Sequence, residues 1–158
     1  MQLNELLTPK RIAVGMAASS KKRALEKISS LLHQGRLGLD RHAAFQALVE
    51  RERLGSTGIG NGIALPHGRL KALRNPIGAF ATLARETDFD SIDGKPVRII
   101  FALLVPQNAN EEHLQILSTL AATFSDNDFC HRLLTIESVD EAYQALNDCH
   151  SSISRKAG

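Results

Sequence analysis

The chain reads as an α/β protein, a sheet held between helical layers, on three observations. Strand-like and helix-like segments alternate along it. One segment, Val97–Val105 (V-R-I-I-F-A-L-L-V), is almost continuously apolar, as a central strand covered on both faces must be. Several other segments repeat their apolar residues at spacings of three and four, the mark of a helix with one buried face. With 158 residues, a single domain buries about two-thirds of its unfolded surface and needs no staples. We place that domain at residues 1–150 and read the polar residues 151–158 as a frayed tail.

Taken in order, Leu3, Leu6 and Leu7 form a short docking segment ended by Pro9. Ile12–Ala17 reads as a strand. Ser19 or Ser20 caps a helix running to about Gln34, with Leu25, Ile28, Leu31 and Leu32 on one face and Gly35 and Gly38 closing it. Asp40 is a good N-cap for a second helix that buries Ala44, Phe45, Leu48 and Val49 and runs out near Arg51-Glu52-Arg53. A glycine-rich stretch follows, then a basic segment, Gly68–Asn75, expected as a turn or short helix before Pro76. Ile77–Leu83 reads as a strand, and Thr87–Pro96, with Asp93-Gly94, as turn. After the Val97–Val105 strand and Pro106, Asn108 or Asn110 starts a helix whose apolar face is Leu114, Leu117, Leu120, Ala121 and Phe124. Shorter helices are expected around Phe129–Leu134 and Val139–Cys149.

Composition excludes several function classes. A net charge of +2 and 4% aromatic residues argue against nucleic acid, and Lys21-Lys22-Arg23 reads as a solvated helix face. The pairs Cys130-His131 and Cys149-His150 chelate poorly, because adjacent helical residues point in different directions. No metal or cofactor is therefore expected. No apolar run approaches the roughly 20 residues of a membrane span, and Met1-Gln2-Leu3-Asn4-Glu5 lacks an export signal. A cytoplasmic protein with free thiols and no membrane insertion is the expectation.

The chemistry concentrates in Arg51–Arg69 (R-E-R-L-G-S-T-G-I-G-N-G-I-A-L-P-H-G-R). Its glycines do not spell a nucleotide site: no lysine follows them as a P-loop requires, and Ile63 stands where a dinucleotide fingerprint has its third glycine. Gly55-Ser56-Thr57-Gly58 is not a nucleophile elbow either. The better centre is His67, between Pro66, which restrains Leu65 toward extended geometry, and Gly68, which lets the chain turn away. A neutral imidazole keeps one lone pair free, and that lone pair can attack phosphorus. Phosphoryl transfer then needs cations or N–H donors around the phosphate. Arg51, Arg53 and Arg69 are the candidates nearby. His113, in the first turn of the helix after the buried strand, would meet His67 at the sheet's end if that strand lies beside the segment ending there. It could orient His67 or donate to the phosphate.

The run Glu50–Gly68, with Phe101-Ala102-Leu103-Leu104-Val105-Pro106 followed by His113-Leu114 and Leu117, closely resembles the enzyme IIA domains of the mannitol/fructose class in the bacterial phosphotransferase system. Within them it looks most like the nitrogen-regulatory branch. The resemblance covers nearly the whole chain and leaves no room for a fused sugar-transport domain. It implies an α/β fold with a mixed parallel and antiparallel sheet flanked by helices, and transient phosphorylation of His67 on Nε2. Arg51 and His113 match the family's arginine and second active-site histidine; the roles of Arg53 and Arg69 stay open. The implied donor is a small phosphohistidine carrier protein of the nitrogen branch, charged by an enzyme I that uses phosphoenolpyruvate. The implied readers of the phosphorylation state are regulatory or transport proteins. The alternative is an enzyme IIA passing its phosphoryl group to a fructose- or mannitol-type permease.

Overall fold

Six strands and six α-helices make up a computed structural model that describes residues 3–34 and 39–157. The strands are β1 (Ile12–Met16), β2 (Gly58–Gly60), β3 (Ile63–Ala64), β4 (His67–Leu70), β5 (Ile77–Thr87) and β6 (Val97–Pro106). The helices are α1 (Leu3–Leu6), α2 (Lys21–His33), α3 (Arg41–Arg53), α4 (Glu111–Thr123), α5 (Asn127–Thr135) and α6 (Val139–Ala157). The helix-closing glycines Gly35 and Gly38 lie outside the described residues, and beyond Cys149 only the backbone, as far as Ala157, is described. The backbone of α6 continues past Cys149 to Ala157.

The sheet is mixed, in the order β1-β5-β6-β3-β2. β1 runs parallel to β5, and β5 antiparallel to β6. β3 and then β4 lie parallel along the other edge of β6, from Ile63 opposite Ile99 to Leu70 opposite Pro106. Between them, Leu65-Pro66 interrupts the ladder. Proline has no N–H to give, but its carbonyl still accepts from Leu103 N at 2.9 Å. The strand that carries His67 is therefore one edge of β6 continued through a break.

As the apolar run in β6 predicts, helices cover both faces. Ile99, Phe101, Leu103 and Val105 face α1 and α4–α6, whereas Ile100, Ala102 and Leu104 face α2 and α3. The two faces are packed differently. Phe80, Phe101, Phe124 and Phe129 form an aromatic cluster with ring centroids 6.0–6.2 Å apart on the first, within the range of favourable ring pairs. The second presents Ala64, Ala79, Ala81 and Ala102, so α3 comes close to the sheet. Caps start the helices where short polar side chains stand: Ser20 accepts from Arg23 N, Asp40 from His42 N, Asn110 from His113 N and Asp126 from Phe129 N.

Four expectations need correction. Pro9 does not end the first segment but opens a 3-10 turn, Pro9–Arg11, since a fixed φ and a missing N–H cost nothing at a helix start. β5 extends beyond Leu83 to Thr87. His67–Leu70 is strand, not turn or short helix; pairing with β6 overrides the polar composition of that segment. In α4 the buried line is Ile116, Leu120 and Thr123, with Leu114 40% exposed. The apolar stripe of α4 is wider than the sheet can cover, and only packing decides which edge of it faces out.

Candidate active site around His67

The glycine-rich stretch forms a β-hairpin, β2 antiparallel to β3, with Asn61 at φ 56° and Gly62 at φ 80°. Two successive positive φ values are what a tight hairpin turn requires, and Asn-Gly supplies them at least cost. The hairpin reverses the chain between the end of α3 and the start of β4, so that Arg51 comes to face His67. Gly68 serves a purpose other than turning the chain. The backbone continues as strand, and a Cβ on Gly68 would lie 2.9 Å from the carbonyl oxygen of Ala47 in α3. Glycine is needed because helix and strand touch there.

Both nitrogens of His67 have defined partners. Nδ1 lies 2.8 Å from the carbonyl oxygen of Leu65, and Arg51 Nε donates to Nε2 across 3.2 Å. A carbonyl can only accept and a guanidinium can only donate. The neutral ring therefore carries its proton on Nδ1 and turns its lone pair on Nε2 toward Arg51. Burial, with the Arg51 charge adding to it, lowers the imidazole pKa below its ordinary value, against the Leu65 carbonyl and the Glu52 carboxylate, which favour the charged ring. At neutral pH the ring is neutral and its Nε2 is nucleophilic. Arg51 is held in turn by Nη1 donating to Gly55 O at 2.9 Å.

His113 stands in the first turn of α4, capped by Asn110 through its backbone N–H. It borders the same open depression as His67, Arg51 and Arg69, about 360 Å³ in volume. Both imidazoles thus line one depression. The two rings are not hydrogen-bonded: Nε2 of His67 has Arg51 as its partner, and His113 Nδ1 is buried with no partner among the described residues. Arg69 donates from Nη1 to Gln107 O at 3.1 Å and to Ala109 O at 3.5 Å, bracing the connection that leads into α4. Arg53 is exposed on the last turn of α3.

Sequence reasoning missed one buried group here. Glu52 is 8% exposed, and its carboxylate accepts from Thr57 N at 3.1 Å and from Thr57 Oγ1 at 2.5 Å, while Lys21 Nζ lies 2.9 Å away. The signal was present: Glu52 continues the buried series Ala44, Leu48 at steps of four, a charge on an apolar stripe. The apolar rim of the depression, Leu54 (84% exposed), Leu114 and Leu117, was read only as helix end and helix core. Among the described residues no group of three or more His, Cys, Asp or Glu side chains could hold a metal ion. Cys130 is buried and its thiol pKa is pushed up to about 11 by that burial.

The fold recurs in a known family. The chain belongs to the family described as phosphoenolpyruvate-dependent sugar phosphotransferase system, EIIA 2, whose model matches residues 5–149. It is 43% identical over 148 residues to the nitrogen regulatory protein of Pseudomonas aeruginosa, covering 94% of this chain and 96% of that one. It is 40% identical over 129 residues to the fructose-specific EIIA component of the phosphotransferase system of Haloferax volcanii, covering 81% and 83%. The crystal structure of nitrogen regulatory protein IIA-Ntr from Neisseria meningitidis superimposes with a TM-score of 0.85 at 42% identity, covering 91% of this chain and 98% of that one. No helix among the described residues is long and apolar enough to cross a membrane.

Proposed function

We propose that the protein is a regulatory phosphohistidine carrier, a phosphotransferase component with a covalent intermediate on His67. The observation that carries this is the pair of contacts on the imidazole. Leu65 O accepts a hydrogen bond from Nδ1–H and so leaves Nε2 as the only ring nitrogen with a free lone pair, with a guanidinium beside it. The Nε2 lone pair attacks the phosphorus of a donor phosphohistidine. The donor's N–P bond breaks and its electron pair returns to the donor ring. No proton need move, because Nδ1 keeps its own. Arg51 exchanges its contact with the lone pair for contacts with the phosphoryl oxygens, and His113 contributes a second donor from α4. Such fixed donors are worth most where charge develops.

The donor in this reading is a small phosphohistidine carrier protein of the nitrogen branch, itself charged by an enzyme I from phosphoenolpyruvate. The phosphoryl group adds nearly two negative charges, enough to make or break an interface with regulatory or transport proteins. The names of the P. aeruginosa and N. meningitidis relatives favour this branch. The fructose-specific name of the H. volcanii relative supports the second reading, transfer onward to a sugar permease. A reconstituted relay with labelled phosphoenolpyruvate tests the first. Acid-labile label is expected on wild type and none on His67→Ala, and undiminished labelling of that variant would overturn it. Onward transfer to a sugar-specific acceptor domain would select the second.

A further inference from the structure

The structure assigns Glu52 as the positioning residue of this site, a buried carboxylate that sets both contacts of the His67 ring; the assignment rests on His67 being the phosphoryl acceptor. Two chains of contacts lead from it. The first runs through α3. Arg51 and Glu52 are consecutive on the last turn of the helix, so anchoring the Glu52 side chain fixes the rotation of that turn and the direction in which Arg51 leaves it. The second runs through the hairpin. Oε1 and Oε2 of Glu52 accept from Thr57 N and Oγ1, Thr57 O accepts from Leu65 N at 2.9 Å, and Leu65 O is the atom that holds Nδ1 of His67. One carboxylate thus ends a path to the proton on Nδ1 and a path to the donor at Nε2.

Lys21, from the start of α2, completes the arrangement. It lies 2.9 Å from Glu52 and 3.2 Å from Asp90, so the loop after β5 is tied to the same point. The contacts of Glu52 are poor devices for stability alone. Desolvation offsets most of the Coulomb gain of a buried pair, and an apolar residue of similar size would hold α3 on the sheet as well. Thr57, 4% exposed, likewise gives its hydroxyl to the carboxylate at a position where a valine would fill the same space. What the polar choice supplies is direction: bonds to both oxygens define where the hairpin starts relative to the helix end.

Three variants test the assignment: Glu52→Ala, Glu52→Gln and Thr57→Val. The glutamine can repeat both Thr57 contacts, its amide oxygen accepting from the backbone N–H and its amide nitrogen donating to a turned hydroxyl, so it should rescue what alanine loses. Nitrogen-15 spectra of the imidazole report the His67 tautomer without any phosphoryl transfer. Wild type and Glu52→Gln are expected in the Nδ1–H form, Glu52→Ala as a mixture and Thr57→Val between them. In the reconstituted relay, kcat for phosphorylation should fall roughly 10-fold or more in Glu52→Ala, toward the 10²-fold cost of a 1 Å misplacement, with KM for the donor unchanged. If Glu52→Ala does not fold, the graded tautomer shift in Thr57→Val against Glu52→Gln carries the test. A wild-type tautomer in every folded variant, or a loss that Glu52→Gln fails to rescue, overturns the assignment. Wild-type protein that takes no label on His67 overturns the acceptor reading, while the tautomer spectra still report on Glu52.

Discussion

The two walls of the His67 depression are built on different terms. On the α3 and hairpin side nearly every polar group is engaged: Lys21 with Glu52, Glu52 with Thr57, Thr57 with Leu65, Leu65 and Arg51 with His67, and Arg51 with Gly55. On the α4 side, His113 is held by its backbone alone and has a buried Nδ1 with no partner among the described residues. Leu114 and Leu117 line the rest of that wall. In the proposed reaction one wall is set before the phosphoryl group arrives, which costs nothing at the moment of transfer. The other keeps an unspent imidazole nitrogen and apolar side chains that leave contact area open to an incoming protein.

The largest effects should come from breaking the wired wall. Arg51→Ala removes the donor at Nε2 and should slow phosphorylation of His67 on the order of 10²-fold, measured as the initial rate in the relay. Arg51→Lys keeps the charge but not the fork and should recover only part of it. His113→Ala, on the unwired side, should slow transfer less, about 10-fold. Equal losses for Arg51→Ala and His113→Ala would abolish the distinction between the walls.

Stability separates them next. Gly68→Ala drives a methyl group into the Ala47 carbonyl and should cost about 1–3 kcal/mol by overpacking, read from urea denaturation. His113→Leu should do the reverse. Removing a buried nitrogen without a partner relieves about 1 kcal/mol, raising Tm by about 2–4 °C in a domain of this size even as transfer slows. A drop in Tm for His113→Leu would show that Nδ1 has a partner after all.

The smallest effect concerns pH. The folded His67 pKa lies below its ordinary value, so on acidification the unfolded chain takes up the proton first, at about pH 6.5. Stability from the neutral ring is complete above that pH and is lost as pH falls toward the folded pKa. The urea midpoint of wild type should therefore decline below pH 6.5 more steeply than that of His67→Ala. Phosphoryl acceptance should begin to fall at a lower pH than an ordinary imidazole with its pKa near about 6.5 would allow, because burial holds the His67 pKa below that value. Parallel midpoint curves for the two proteins would mean that burial does not act on His67 as described.

Much of this site is legible in the chain. The proline before His67 and the nearly continuous apolar run of β6 are local in sequence and carry their physics with them. Asn61-Gly62 carries the residues of a hairpin turn, yet the glycine-rich stretch invited only nucleotide motifs, and its two short strands came to light in the fold. Other features resist. The partner of Gly68 is a helix carbonyl, and a glycine that makes room looks the same in sequence as a glycine that turns. Leu114 and Leu117 carry an apolar pattern suited to the core, and only the width of the sheet leaves them at the rim. Glu52 is an ordinary charge at a helix end until Thr57 and Lys21 are brought to it.

By itself the sequence determined the class of fold, the segment that bears the chemistry and His67 as its centre, because residue type and short spacing govern those; Arg51 and His113 were singled out as candidates by the family resemblance. Tertiary structure decided the rest. It decided which nitrogen of His67 holds the proton, which side of α4 meets solvent, and that a carboxylate ties Arg51 and His67 to one point. These depend on contacts between α2, α3, the hairpin and β6, which lie far apart in the chain and meet only once both faces of the sheet are covered.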